Sequence, residues 1–82
     1  MSIEEWRIDW LPAPEEIVIA LEGYAGPYPV LLEVYGPDGK RVFRQQYPQP
    51  LLSLPTRLLR PGHYRYKVIY NGKNVQDGTI AL

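Results

Sequence analysis

Hydrophobic and polar residues alternate along most of this chain with a period of two, the spacing that gives a β-strand one buried face. The clearest run covers residues 63–70, where Tyr64, Tyr66 and Val68 share one face and Arg65 and Lys67 share the other. Segments that contain Pro or Gly interrupt these runs at intervals of about ten residues, as in a β-sandwich. The pattern predicts seven strands, at residues 6–10, 17–21, 30–35, 41–47, 51–54, 63–70 and 73–82.

Two short segments predict tight turns between neighbouring strands. Gly36-Pro37-Asp38-Gly39-Lys40 places Pro where a fixed φ is favoured and Gly where a positive φ is required, and Asn71-Gly72 is the preferred pair of a type I′ hairpin turn. The strand at residues 41–47 is polar and ends at Pro48, as an exposed edge strand does. No stretch predicts a helix. We therefore expect an all-β, antiparallel β-sandwich of about seven strands, formed by residues 1–82 as a single domain.

The parity of the strands predicts which side chains form the core. Residues that share the apolar face of their strand are expected to be buried between the sheets. These residues are Trp10, Ile19, Leu32, Val34, Leu54, Tyr64, Tyr66, Val68 and Ile80.

Part of the chain resembles a known superfamily. Leu59-Arg60-Pro61-Gly62-His63-Tyr64 is similar to the corner between strands E and F of fibronectin type III and related immunoglobulin-like modules. The segment from Ile8 to Pro12 resembles the opening of such modules, and Leu32 to Lys40 is similar to a hairpin of small bacterial immunoglobulin-like domains appended to secreted proteins. The resemblance implies an immunoglobulin-like fold. It also implies a tyrosine corner of Leu59, Pro61, Gly62 and Tyr64, in which the Tyr64 hydroxyl bonds to the backbone between residues 58 and 61.

Two departures and the composition qualify this resemblance. His63 alone separates Pro-Gly from the tyrosine, where fibronectin type III modules commonly have two residues, which favours the broader superfamily. The absence of Cys excludes an antibody-type disulfide. The regular turns and the cysteine-free composition would also suit a computationally designed sandwich.

The length and composition narrow the classes of function. Eighty-two residues without Cys form one small domain, too short for most multi-step enzymes. The uncharged runs of the chain, such as Gly23 to Leu32 and Gln45 to Thr56, are far shorter than the roughly 20 residues of a membrane span. The first residues do not resemble a secretory signal. We therefore expect no membrane insertion.

The charges balance in total but not along the chain. Residues 1–39 contain eight acidic residues and one basic residue, whereas residues 40–82 contain eight basic residues and one acidic residue. Nucleic-acid-binding domains carry an excess of basic residues, whereas the net charge of this chain is zero. We therefore expect no nucleic-acid partner. The two halves either pair across neighbouring strands or form a dipole that orients the domain toward a partner or a second copy.

The sequence contains no constellation typical of catalysis or metal binding. His63 is the single histidine and lies at a polar position beside a turn, where we expect it to be exposed; its functional alternative is a general base or a pH sensor. Zinc sites use several His or Cys ligands, which this chain lacks. We expect the neighbouring acids Glu4-Glu5 and Glu15-Glu16 to point in different directions, which disfavours a pair of catalytic carboxylates. We expect no catalytic residues, no metal and no cofactor.

Tyrosine is the distinctive residue type of this chain. Three loops that an up-and-down strand order brings to one end hold Tyr24, Tyr28, Tyr47 and Tyr70. Tyrosines on Pro-braced loops are typical of a binding surface, but they also pack over loop backbones to cover the end of a sandwich. Exposed aromatic rings are a means of carbohydrate binding as well, for which Trp6 is the better platform.

These patterns favour a non-enzymatic immunoglobulin-like sandwich that acts as a protein-binding or structural module. The alternative is a carbohydrate-binding module of a secreted bacterial protein. The expected oligomeric state is a monomer or a weak homodimer.

Overall fold

The computed structural model describes residues 16–82 of the chain, and all of its regular elements in that range except one 3₁₀ turn are strands. The strands are β1 (Glu16–Ala20), β2 (Val30–Tyr35), β3 (Arg41–Tyr47), β4 (Leu51–Pro55), β5 (His63–Tyr70) and β6 (Lys73–Ala81), and the 3₁₀ turn is Thr56–Leu58. All six correspond to predicted strands. The seventh predicted strand, at residues 6–10, and the predicted burial of Trp10 lie outside the described residues.

The strands form two antiparallel sheets. One contains β1 and β4, and the other has the order β3-β2-β5-β6. The chain therefore passes from one sheet to the other after β1, after β3 and again after β4. The apolar faces of both sheets contribute to one buried cluster, so the fold is an all-β sandwich, as predicted.

The core follows the alternation of the sequence closely. The buried apolar side chains are Ile19, Leu21, Val30, Leu32, Val34, Tyr47, Leu52, Leu54, Tyr64, Val68 and Ile80. Every predicted core residue within the described range is among them except Tyr66, which is only partly buried. The prediction was wrong for Tyr66 because its ring lies at the border between the two sheets, against Gly78 of the neighbouring strand.

The corner before β5 has the predicted hydrogen bond. The Tyr64 hydroxyl donates to the carbonyl oxygen of Arg60 at 2.6 Å, and the side chain of Leu59 packs against the core. Gly62 and Leu82 exchange two backbone hydrogen bonds of 3.0 and 2.8 Å. The corner is therefore held both by a side chain and by the backbone next to β6.

Both predicted turns are present. In the first, the amide of Gly36 donates to the carbonyl of Lys40 at 2.9 Å, and the Asp38 carboxylate accepts the Lys40 amide at 3.0 Å. In the second, Asn71 and Gly72 have positive φ angles of 51° and 79°, as a type I′ turn requires. Each turn sets the pairing next to it, Tyr35 with Arg41 and Tyr70 with Lys73, and each ladder then shifts by one residue, at Val42 and at Val75.

The edge strand β3 contains a bulge. Val34 is opposite Phe43 but Tyr35 is opposite Arg41, so Val42 is an extra residue on β3. Its side chain is exposed. The bulge directs Arg41 and Arg44 to the same outer face of the sheet, where both approach Glu33.

One side chain connects the two sheets where β1 and β6 lie side by side. The amide nitrogen of Gln76 donates to the carbonyl of Ala20 and to the hydroxyl of Tyr66, both at 3.1 Å. Its amide oxygen accepts the backbone N–H of Glu22 at 3.2 Å. Gln76 therefore binds the end of β1 to the outer strand of the larger sheet.

Candidate functional site

The three tyrosine-bearing loops lie at one end of the sandwich, as predicted. The register pairs Val30 with Tyr47 and Tyr70 with Lys73, and Leu31 lies opposite Ile69. The loop before β2, the end of β3 and the turn after β5 are therefore neighbours. We call this region the loop end.

Tyr24 and Tyr28 bond to their own loop. Their rings meet edge to face, with centroids 5.5 Å apart and planes at 76°. The Tyr24 hydroxyl donates to the carbonyl of Pro27 at 2.5 Å, and the Tyr28 hydroxyl donates to the carbonyl of Tyr24 at 3.2 Å. Burial raises the pKa of Tyr24, and the nearby hydroxyls of Tyr70 and Tyr28 raise it further. These contacts correspond to the alternative in which the tyrosines cover the end of the sandwich.

Tyr47 is not available to a partner. Its side chain is 5% exposed, its hydroxyl donates to the carbonyl of Ser53, and burial raises its pKa. The prediction that it presents a ring at the loop end was wrong because the ring points into the core from the last residue of β3. Tyr70 is partly buried and lines a shallow depression with Pro29, Gln46 and Gly72.

The outer face of the four-stranded sheet carries a second cluster of functional groups. Glu33 on β2 lies between Arg44 on β3 and Lys67 on β5, and Tyr35 lies between Arg41 and Arg65. All four basic side chains are exposed. We call the surface formed by Arg41, Arg44, Arg65, Lys67 and Tyr35 the cationic face.

A buried carboxylate organises this face. Glu33 is 9% exposed, and its oxygens accept hydrogen bonds from the Tyr35 hydroxyl at 2.8 Å and from Arg41 at 3.0 Å; Arg44 lies 3.6 Å away. The Tyr35 hydrogen bond is the main cause that lowers the pKa of Glu33; the two arginines lower it further, and desolvation opposes them. The same hydrogen bond raises the pKa of Tyr35. Glu33 therefore remains ionised and neutralises part of the charge of Arg41 and Arg44.

Arg65 and Lys67 differ from the other two cations. Neither has an ion-pair partner among residues 16–82, although the Lys67 ammonium lies 5.6 Å from the centroid of the Tyr35 ring. Asp77 lies opposite Lys67 in the ladder, but its carboxylate accepts a hydrogen bond from Asn74 at 2.8 Å. The two cations separate two shallow depressions: one borders Tyr35, Pro37 and Gly39, and the other borders Asp77, Gly78 and Thr79.

The sequence pattern did not indicate the cationic face as a candidate site. It contained one usable signal, the charged Glu33 between Leu32 and Val34 in a strand that is otherwise apolar. A carboxylate that becomes buried in such a strand requires donors from neighbouring strands. Which strands supply those donors depends on the order β3-β2-β5, which the sequence does not reveal.

The other candidate functional groups of the described residues do not cluster into a site. His63 is exposed at the start of β5, as expected. Within residues 16–82, no group of three or more His, Cys, Asp or Glu side chains is placed to hold a metal ion. That same range contains no helix long and apolar enough to cross a membrane. The proposed carbohydrate platform, Trp6, lies outside the described residues.

Comparison with known proteins gave no match to a family model, to a curated protein or to a solved structure.

Proposed function

We propose that this chain is a non-enzymatic immunoglobulin-like sandwich that binds a protein partner through its cationic face. Within the described residues, the side chains that support this proposal lie on an open sheet surface and do not line an enclosed pocket. The partner is a protein with a negatively charged surface, because opposite potentials attract and orient the two molecules.

The strand order supports the immunoglobulin-like class. In immunoglobulin-like sandwiches, strands B and E belong to one sheet and strands C, F and G to the other, with C′ added beside C in the variable type. Here β1 and β4 take the positions of B and E, and the order β3-β2-β5-β6 corresponds to C′-C-F-G. The hydrogen bond from Tyr64 to Arg60 lies in the connection from β4 to β5, where the tyrosine corner belongs.

The observation that carries the binding role is a pair of exposed cations, Arg65 and Lys67, that have no ion-pair partner among residues 16–82. Two neighbouring cations on one strand repel each other, and no carboxylate of the described strands lies within ion-pair distance of either. A partner that supplies acidic groups would remove this repulsion. The loop end offers less, since three of its four tyrosine hydroxyls already donate to backbone carbonyls of this chain.

Site-specific photocrosslinking tests this proposal. A photoreactive lysine analogue that keeps the side-chain ammonium replaces Lys67 on the cationic face, Tyr28 at the loop end, or Arg57 near the opposite end, and each protein is irradiated in an extract of the cells that produce it. We expect protein adducts chiefly from position 67, and we expect Arg65→Glu in the same protein to abolish them. Adducts from position 28 alone would favour the loop end, and the absence of adducts from all three positions would favour a purely structural module.

A further inference from the structure

We propose that the cationic face binds an extended acidic peptide whose carboxylates are two residues apart, and that Arg65 and Lys67 each bind one of them. This inference rests on the proposed function and adds the chemistry of the partner. It follows from the spacing of the two cations, from their lack of ion-pair partners and from the way their neighbours hold them.

The spacing comes from the geometry of a strand. Arg65 and Lys67 are two positions apart on β5 and both face outward. A strand rises about 3.3 Å per residue, so their backbone origins are about 6.6 Å apart. Alternate side chains of an extended peptide have the same separation. An acidic peptide that lies along β5 therefore brings one carboxylate to each cation without bending.

The local charge balance selects these two cations from the four on the face. Arg41 and Arg44 are turned toward the carboxylate of Glu33, at 3.0 and 3.6 Å. Arg65 and Lys67 have no such partner among residues 16–82, and Asp77 is engaged with Asn74. A ligand carboxylate therefore forms new ion pairs with Arg65 and Lys67 without breaking existing ones.

Tyr35 acts as a positioning residue. Its hydroxyl donates to Glu33 at 2.8 Å, which orients the ring, and the ring lies 5.6 Å from the Lys67 ammonium. A lysine held near an aromatic face loses less side-chain freedom on binding than a fully mobile lysine. Tyr35→Phe removes the hydrogen bond to Glu33 but keeps the ring.

A peptide fits this site better than a sulfated polysaccharide. A polysaccharide with a charge on each sugar binds along long rows of cations and is expected to depend on Arg44 as strongly as on Arg65. Among residues 16–82, the cations of this face without an ion pair are the adjacent Arg65 and Lys67, and the depression beside them is bordered by Tyr35 and Pro37. Arginine also has a planar donor group that matches a carboxylate.

The test is titration calorimetry of the whole chain with a synthetic peptide that has Glu and Thr in alternation. A peptide with Gln in place of Glu, a peptide with its Glu residues in one block, and a heparin oligosaccharide are the comparison ligands. Arg65→Gln and Lys67→Gln remove the two cations. Lys73→Gln is the matched control, because Lys73 is an exposed cation at the first residue of β6, where it lies opposite Tyr70.

We expect the alternating peptide to bind, and each of Arg65→Gln and Lys67→Gln to raise its Kd about three-fold, as exposed ion pairs do. Lys73→Gln should leave the Kd unchanged, and the block and Gln peptides should bind more weakly. Tyr35→Phe should raise the Kd in the natural chain but not in the Lys67→Gln chain. The loss of stability that follows from the missing hydrogen bond to Glu33 would be the same in both chains, so a merely structural role would not produce this difference.

Three results would overturn the inference: equal effects of Lys73→Gln and Lys67→Gln, equal binding of the block peptide, or tighter binding of heparin with an equal dependence on Arg44→Gln. Its failure is distinguishable from failure of the proposed function. If no peptide binds but photocrosslinking from position 67 still yields protein adducts, the partner is not an acidic extended peptide and the binding module remains. If both experiments fail, neither proposal holds.

Discussion

The replacement Gly78→Ala is a direct test of how β5 and β6 of the larger sheet pack against each other. Gly78 lies opposite Tyr66, and the Tyr66 ring lies over its backbone. A methyl group at residue 78 would be 2.7 Å from Cε2, 2.9 Å from the hydroxyl oxygen and 3.0 Å from Cζ of that ring. Carbon atoms pack at about 3.5–4.0 Å, so the ring would have to move by nearly 1 Å.

The ring cannot move without a loss elsewhere, since its hydroxyl accepts a hydrogen bond from Gln76, which also bonds to Ala20. Overpacking of this kind costs about 1–3 kcal/mol, and loss of the Gln76 hydrogen bond adds about 0.5–1.5 kcal/mol. Alanine recovers about 0.5–1 kcal/mol, because glycine loses more backbone entropy in a strand. The free energy of unfolding should therefore fall by about 0.5–4 kcal/mol, with about 2 kcal/mol as the central value.

Urea denaturation followed by circular dichroism measures this change as a lower midpoint at an unchanged slope. The decisive comparison uses Tyr66→Ala as the background. Without the ring, Gly78→Ala meets no obstacle, and the entropic term should make it neutral or stabilising by up to about 1 kcal/mol. An equal destabilisation in both backgrounds would refute the packing of Tyr66 on Gly78.

Three further predictions concern other parts of the fold. Tyr64→Phe should lower the free energy of unfolding by about 1 kcal/mol and the melting temperature by about 4–8 °C, because the bond to Arg60 is lost; an unchanged melting temperature would contradict the corner. The pKa of Glu33 is lowered in the folded protein, so its ionised carboxylate stabilises the fold fully above the ordinary pKa of 4.5, and this stabilisation is lost as the pH falls through the lowered pKa. The urea midpoint of the natural chain should therefore decline in acid more steeply than that of Glu33→Gln. Parallel declines would contradict the stabilising role of the Glu33 carboxylate. Tyr47→Ala should cost about 3–5 kcal/mol in urea denaturation, as for a buried aromatic residue, and Tyr28→Ala clearly less; equal costs would contradict the burial of Tyr47.

Much of the fold could be predicted from alternation and turn chemistry. The alternation of residues 63–70 and the Asn71-Gly72 turn together predicted the β5–β6 hairpin, and the turn sets the pairs Tyr70 with Lys73 and Ile69 with Asn74. Beyond them the register shifts by one residue at Val75, which the sequence pattern did not indicate. Leu52 is buried without being predicted, although it shares the face of Leu54, which was predicted; Leu51 beside it is also apolar, so the alternation is broken at the start of β4.

The candidate site was less predictable because it depends on contacts between strands that are distant in sequence. Arg65 and Tyr35 are thirty positions apart and become neighbours only when β5 pairs with β2. The loops predicted that the four tyrosines lie at one end of the sandwich. The direction of the Tyr47 ring depends instead on whether this last residue of β3 continues the alternation of inward and outward side chains along the strand. It does, and its hydroxyl therefore meets Ser53 of the opposite sheet.

The bulge at Val42 has a consequence for how copies of this protein behave when they are crowded. An unpaired strand edge is a template on which other chains add strands and begin to aggregate. A strand that pairs in register with residues 43–47 of β3 is out of register beyond Val42, because the extra residue reverses which side chains point to each face of the sheet. Deletion of Val42 would restore a continuous ladder along β3, and with it a surface from which fibrils could grow. The bulge that aims two arginines at Glu33 thus also limits lateral polymerisation of the sheet.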